Sequence, residues 1–127
     1  MRRPIPDDVH RFVLTSVPTV PFLEAMLILR AHATVSWSAA ELAARLFVSP
    51  VRAEELLVEL CAAGLATPVE EGLRMRWNPA SGLALMVDRL AEVYADNVVD
   101  VTQLIHSRLE RRALQFADAF RLRRKED

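Results

Sequence analysis

Residues 38–65 read SAAELAARLFVSPVRAEELLVELCAAGL, and the punctuation of this stretch decides the fold. Ser38 followed by Glu41 is a capping box, in which the serine hydroxyl and the glutamate carboxylate each satisfy a backbone N–H that a helix start leaves unpaired. A helix is expected from there through Leu46. Phe47, Val48 and Ser49 form a turn, Ser49 serves as an N-cap, and Pro50 stands at a first helical position, where its missing N–H is no loss. The second helix then runs from about Pro50 to Ala63, and Gly64 supplies the left-handed residue that closes it. Two short helices joined by a tight turn make a helix-turn-helix candidate.

Working outward, Thr34-Val35-Ser36-Trp37 has the β-branched and aromatic character of a brief strand. Before it, Thr19 to about His32 carries Phe22, Leu23, Met26, Leu27, Ile28 and Leu29, apolar almost all round, with Pro21 in the first turn; a helix buried on most sides is expected. Residues 1–18, with Val9, Phe12 and Val13 between prolines, read as a short helix forming an N-terminal arm. After the helix pair, Leu65–Val69 and Leu73–Trp77 flank Glu70-Glu71-Gly72 as a hairpin. Leu73, Met75 and Trp77 alternate with Arg74 and Arg76, which predicts one core face and one face bearing two guanidinium groups. Trp37 and Trp77 are expected to seal the core.

Downstream of residue 79 the pattern becomes helical again. Leu83, Met86, Val87, Leu90, Val93, Tyr94 and Asn97 recur at three- and four-residue spacing. Val98, Val101, Leu104, Ile105 and Leu109 continue it after a bend, and Ala113, Phe116, Ala117 and Phe120 form a last stripe before the charged end Arg121 to Asp127. The expected class is mainly α with a small β-wing, divided into the arm (1–18), a winged helix-turn-helix domain (19–79) and a C-terminal helical extension (80–127).

Composition narrows function mostly by exclusion. The 127 residues suffice for one core, and a net charge of −1 gives no global attraction to nucleic acid or anionic lipid. The basic residues are arginine apart from Lys125, a usage that suits a GC-rich genome. Cys61 is the only cysteine and falls on the buried side of its helix with Leu56, Leu57 and Leu60, where a thiol acts as a small apolar group rather than a redox sensor. With no basic-then-apolar leader and no membrane-length apolar run, a reducing cytoplasm is the expected compartment. His10, His32 and His106 stand at no metal-ligand spacing, and Asp96 with Asp100 reads as solvated helix charge rather than an acid–base pair. No triad or phosphate cradle can be assembled, so neither catalysis nor a cofactor is expected.

The order of these elements resembles the winged-helix superfamily of bacterial regulators, in layout the MarR, ArsR and PadR families. The segments that carry the likeness are Trp37 to Ala43, Ser49 to Arg52, Leu60 to Leu65 and the hairpin end Arg74-Met75-Arg76-Trp77. The stretch Phe116 to Arg123 is also similar to the tails of small bacterial winged-helix proteins. The resemblance implies a DNA-binding transcriptional regulator whose second motif helix enters the major groove of double-stranded DNA. Carried over by position, Val51, Arg52, Glu55 and Glu59 would face the groove, Ser49 would lie near a phosphate, and Arg74 and Arg76 would sit on the wing. It also implies a homodimer, and the stripe Leu83, Met86, Leu90, Val93 and Tyr94 is expected to pack either on its own domain or, as the dimerisation surface, against a second copy.

One feature of the sequence pulls the other way. Residues 36–79 hold four arginines against six glutamates, and Glu54, Glu55 and Glu59 crowd the exposed face of the second helix beside a single Arg52. Phosphate neutralisation supplies most non-specific DNA affinity, so an acidic reading head favours an alternative: an adaptor that uses the acidic helix face and C-terminal helices to bind a protein. Residues 108–127, by contrast, carry seven basic groups against four acidic ones.

Overall fold

The computed structural model describes residues 4–125, with side chains through residue 119, and the chain is mainly helical with one small sheet. Phe120 and the charged end Arg121 to Asp127 therefore lie beyond the described side chains. Six helices are described, α1 (Asp7–Ser16), α2 (Val20–Ala31), α3 (Ala39–Leu46), α4 (Pro50–Ala62), α5 (Leu83–Asp96) and α6 (Val98–Lys125), with three strands, β1 (Ser36–Trp37), β2 (Ala66–Val69) and β3 (Arg74–Trp77).

Local chemistry sets the boundaries of α3 and α4. The Ser38 hydroxyl accepts from the Glu41 amide at 3.2 Å while the Glu41 carboxylate accepts from the Ser38 amide at 3.1 Å, closing the capping box. The Ser49 hydroxyl accepts from the Arg52 amide at 3.1 Å at the start of α4. At its end Gly64 adopts φ +77°, and the amides of Leu65 and Gly64 donate to the carbonyls of Leu60 and Cys61 at 3.0 and 3.1 Å, a Schellman closure.

The strands pair antiparallel in the order β1-β3-β2, with Ser36 opposite Arg76, Trp37 opposite Met75, and Pro68 also opposite Met75 from the other side. A 3-10 turn over Glu70–Gly72 links β2 to β3, and Glu70, Glu71 and Gly72 all take positive φ. This turn displaces Leu73 from the sheet. It was expected on the core face, but it precedes β3 in a helical conformation and is exposed.

All six helices contribute to a single core. Leu23, Met26, Leu29, Leu42, Leu56, Leu60, Leu90 and Ile105 are fully buried in it, together with Val9, Val13 and Val17. The N-terminal segment, read from the sequence as an arm, is thus a wall of that core. Arg89 ties it to α5 by an ion pair with Asp8, and Arg108 on α6 donates to the Val17 carbonyl at 3.3 Å. Arg30 and Asp88 join α2 to α5 at 2.7 Å.

Between α5 and α6 the chain breaks at Asn97, whose amide group donates to the Val93 carbonyl at 3.0 Å and whose own carbonyl receives the Val101 amide at 3.0 Å. Past this break the two apolar stretches read from the sequence, Val98 to Leu109 and Ala113 to Phe120, lie on one helix of 28 residues, about 42 Å long at 1.5 Å per residue. Its first turns are buried through Val101 and Ile105, and its described residues from Leu109 onward are all exposed.

Candidate functional site

The outer face of α4 combines charge and apolar surface in an unusual way. Val51 and Val58, two helical turns apart, are 68% and 55% exposed. Around them stand Glu54, Glu55 and Glu59, and the five side chains frame a shallow depression of about 490 Å³. The one cation of the helix, Arg52, is turned along the helix surface, donating from Nη1 to Glu55 at 3.0 Å and to Glu59 at 3.5 Å. The face that remains is apolar at its centre and net negative at its rim.

Each residue assigned to DNA from the sequence can be placed on this geometry. Val51 is exposed, Arg52 is held by Glu55 and Glu59, and the Ser49 hydroxyl is occupied by its cap. Arg74, expected to reach outward on the wing, instead folds back across the sheet. Its Nε donates to Ser36 Oγ and its Nη2 to the Ser36 carbonyl, both at 2.9 Å, and it forms an ion pair with Glu41. The reason is strand order: β3 lies beside β1, which puts Ser36 and the capping carboxylate of α3 within reach. Arg76, exposed at mid-sheet between Ser36 and Thr67, points to solvent.

Two exposed side chains of the motif went unrecognised. Val58 was legible as the partner of Val51 at seven-residue spacing. Phe47 was not: it ends α3 in the left-handed region at φ +58° and is 94% exposed, a conformation and exposure that no local pattern assigns to phenylalanine.

The stripe expected to pack on its own domain or on a second copy lies against this chain's core. Leu90 is fully buried, and Leu83, Met86, Val93 and Tyr94 pack against the core cluster. Burial and the neighbouring Glu24 push the Tyr94 hydroxyl above its ordinary pKa, while a hydrogen bond with Thr102 of α6 opposes them. A different surface of the C-terminal region is open. Between α1 and α6 runs a groove of about 290 Å³ whose floor includes Leu14 and Leu104 and whose rim carries His10, Arg108, Arg111 and Arg112.

The remaining candidates are quiet. Trp37 is buried, beside the His32 ring at 5.8 Å and under the Arg45 guanidinium at 5.9 Å, and Trp77 is half-buried against the core. Cys61 is half-buried with its sulfur 3.3 Å from that of Met75, and burial raises its thiol pKa, the opposite of an activated thiolate. Among the described residues no group of three or more His, Cys, Asp or Glu side chains is placed to hold a metal ion, and no single helix is long and apolar enough to cross a membrane. No family model matches the chain, and no curated protein or solved structure does so either.

Proposed function

We propose that the chain is a winged helix-turn-helix module that works as a protein-interaction adaptor, docking a basic amphipathic segment on the outer face of α4. The order of α2, β1, α3, α4, β2 and β3, with β3 between the other two strands, supports the winged-helix reading. The observation that carries the functional reading is the disposition of Arg52. With its guanidinium held by Glu55 and Glu59, the α4 face offers exposed Val51 and Val58 inside a carboxylate rim. Apolar anchors within a charged rim suit a helix of opposite charge, while a phosphate backbone meets like charge there.

DNA-binding transcriptional regulation is the second reading. The place of α4 in the motif and the outward-pointing Arg76 favour it. Fluorescence anisotropy with a labelled helical peptide of leucine and arginine, and in parallel with random duplex DNA, separates the two across a salt series. The adaptor reading expects peptide binding that weakens with salt and falls at least about tenfold in a Glu55→Lys, Glu59→Lys variant. Duplex binding with a steep salt slope, lost in Arg76→Glu and strengthened by Glu55→Lys, would reverse the order of the readings.

A further inference from the structure

We infer that the occupant of the α4 face is a second copy of this chain, which receives α4 in its groove between α1 and α6. The inference rests on the adaptor reading and names its partner. The two surfaces are complementary in charge and in their apolar centres. One is the open outer face of α4, with exposed Val51 and Val58 at its centre and glutamates at its rim. The other is a concave groove with Leu14 and Leu104 in its floor and Arg111 and Arg112 on its rim. Apolar side chains meet apolar side chains, and carboxylates meet guanidinium groups, the pairing that favours bidentate contacts.

Both surfaces belong to every copy, and in the inferred dimer a two-fold axis lets each α4 enter the other chain's groove, so that one pair of contacts uses all four patches. A one-way contact would instead build species larger than a dimer, which would overturn the two-fold arrangement. This interface is separate from the Leu83 to Tyr94 stripe, which packs against the chain's own core.

Sedimentation velocity on the full chain tests the inference with a pair of charge reversals. The wild type is expected to sediment as a dimer at low salt and to dissociate as salt rises. Arg111→Glu with Arg112→Glu, both on exposed positions where folding is not at risk, is expected to weaken the dimer ~100-fold or more, since like charges then face each other. Glu55→Lys with Glu59→Lys is expected to do the same. Mixed in equal amounts, the two variants are expected to form a heterodimer, because each reversed face then meets its complement.

A wild type that is monomeric at every salt concentration, a dimer that survives the arginine reversal, or a mixture that stays monomeric despite native circular dichroism of both variants would each overturn the inference. The peptide measurement keeps the parent reading distinguishable. A monomer that still binds the leucine–arginine peptide removes only the second copy as partner, whereas a monomer that binds neither removes the adaptor reading too.

Discussion

Arg74 joins β3 to β1 and to the start of α3 through Ser36 and Glu41, so its role in this fold is structural. Arg74→Ala is expected to cost about 1.5–3 kcal/mol in urea denaturation, the range for hydrogen bonds to charged groups. Hydrogen bonds from the Ser38 backbone and hydroxyl, with the Arg74 charge behind them, hold the Glu41 carboxyl below its usual pKa. A carboxyl depressed in the folded state adds stability above its unfolded value, roughly pH 4.3, and loses it as pH falls through the folded value. Denaturation midpoints of Glu41→Gln and wild type should therefore converge as the solution is acidified. Phe47 gives a prediction of opposite sign. Relieving its left-handed backbone in Phe47→Gly, with no burial to lose, should raise stability by about 0.5–1 kcal/mol, read as a higher melting temperature. The capping residues were legible in the sequence because their partners lie three residues away. The fate of Arg74 was not, because its partners are 33 and 38 residues distant and depend on strand order.

At the scale of elements, α3 and α4 follow the sequence to within a residue. Three of their four ends are set by signals that need no tertiary contact, namely the capping box, the proline after Ser49 and the glycine after Ala63, while α3 ends at left-handed Phe47 without one. Gly64 tests this directly. A Cβ there would stand 3.5 Å from Ala80 Cβ and 3.8 Å from Leu83 Cδ1, ordinary contacts, so Gly64→Ala pays only for its positive φ. The expected loss is about 1 kcal/mol by thermal denaturation, with α4 otherwise intact. The candidate face on α4 was half legible. The glutamates and Arg52 stand out in the sequence, but that Arg52 lies along its own helix is a matter of rotamer and ion pairing that spacing alone does not decide. The C-terminal stripe shows the same limit from the other side, since periodicity marked it as apolar without saying which copy it packs against.

The whole molecule treats its two ends differently. Val9, Val13 and Val17 are fully buried, so a chain lacking residues 1–17 leaves an open core and is expected to lose cooperative unfolding by calorimetry. A chain ending at Arg108 removes only exposed described side chains, Arg111 and Arg112 of the groove among them, and in salt high enough to keep the chain monomeric it is expected to hold its melting temperature within a few degrees. The apolar spacing of α1 was visible in the sequence, but its neighbours α5 and α6 lie some eighty to ninety residues away, a distance at which no local pattern speaks.

The sheet has one further consequence for how such a molecule meets others. Its outer strands are β1, two residues long, and β2, which has Pro68 in its middle. Proline has no amide hydrogen to donate, and a two-residue strand offers almost no ladder, so neither border can template an added strand. Growth by edge-to-edge β-pairing, the usual hazard of an open sheet, is blunted on both sides, and self-recognition is left to surfaces whose side chains, rather than backbone, choose the partner.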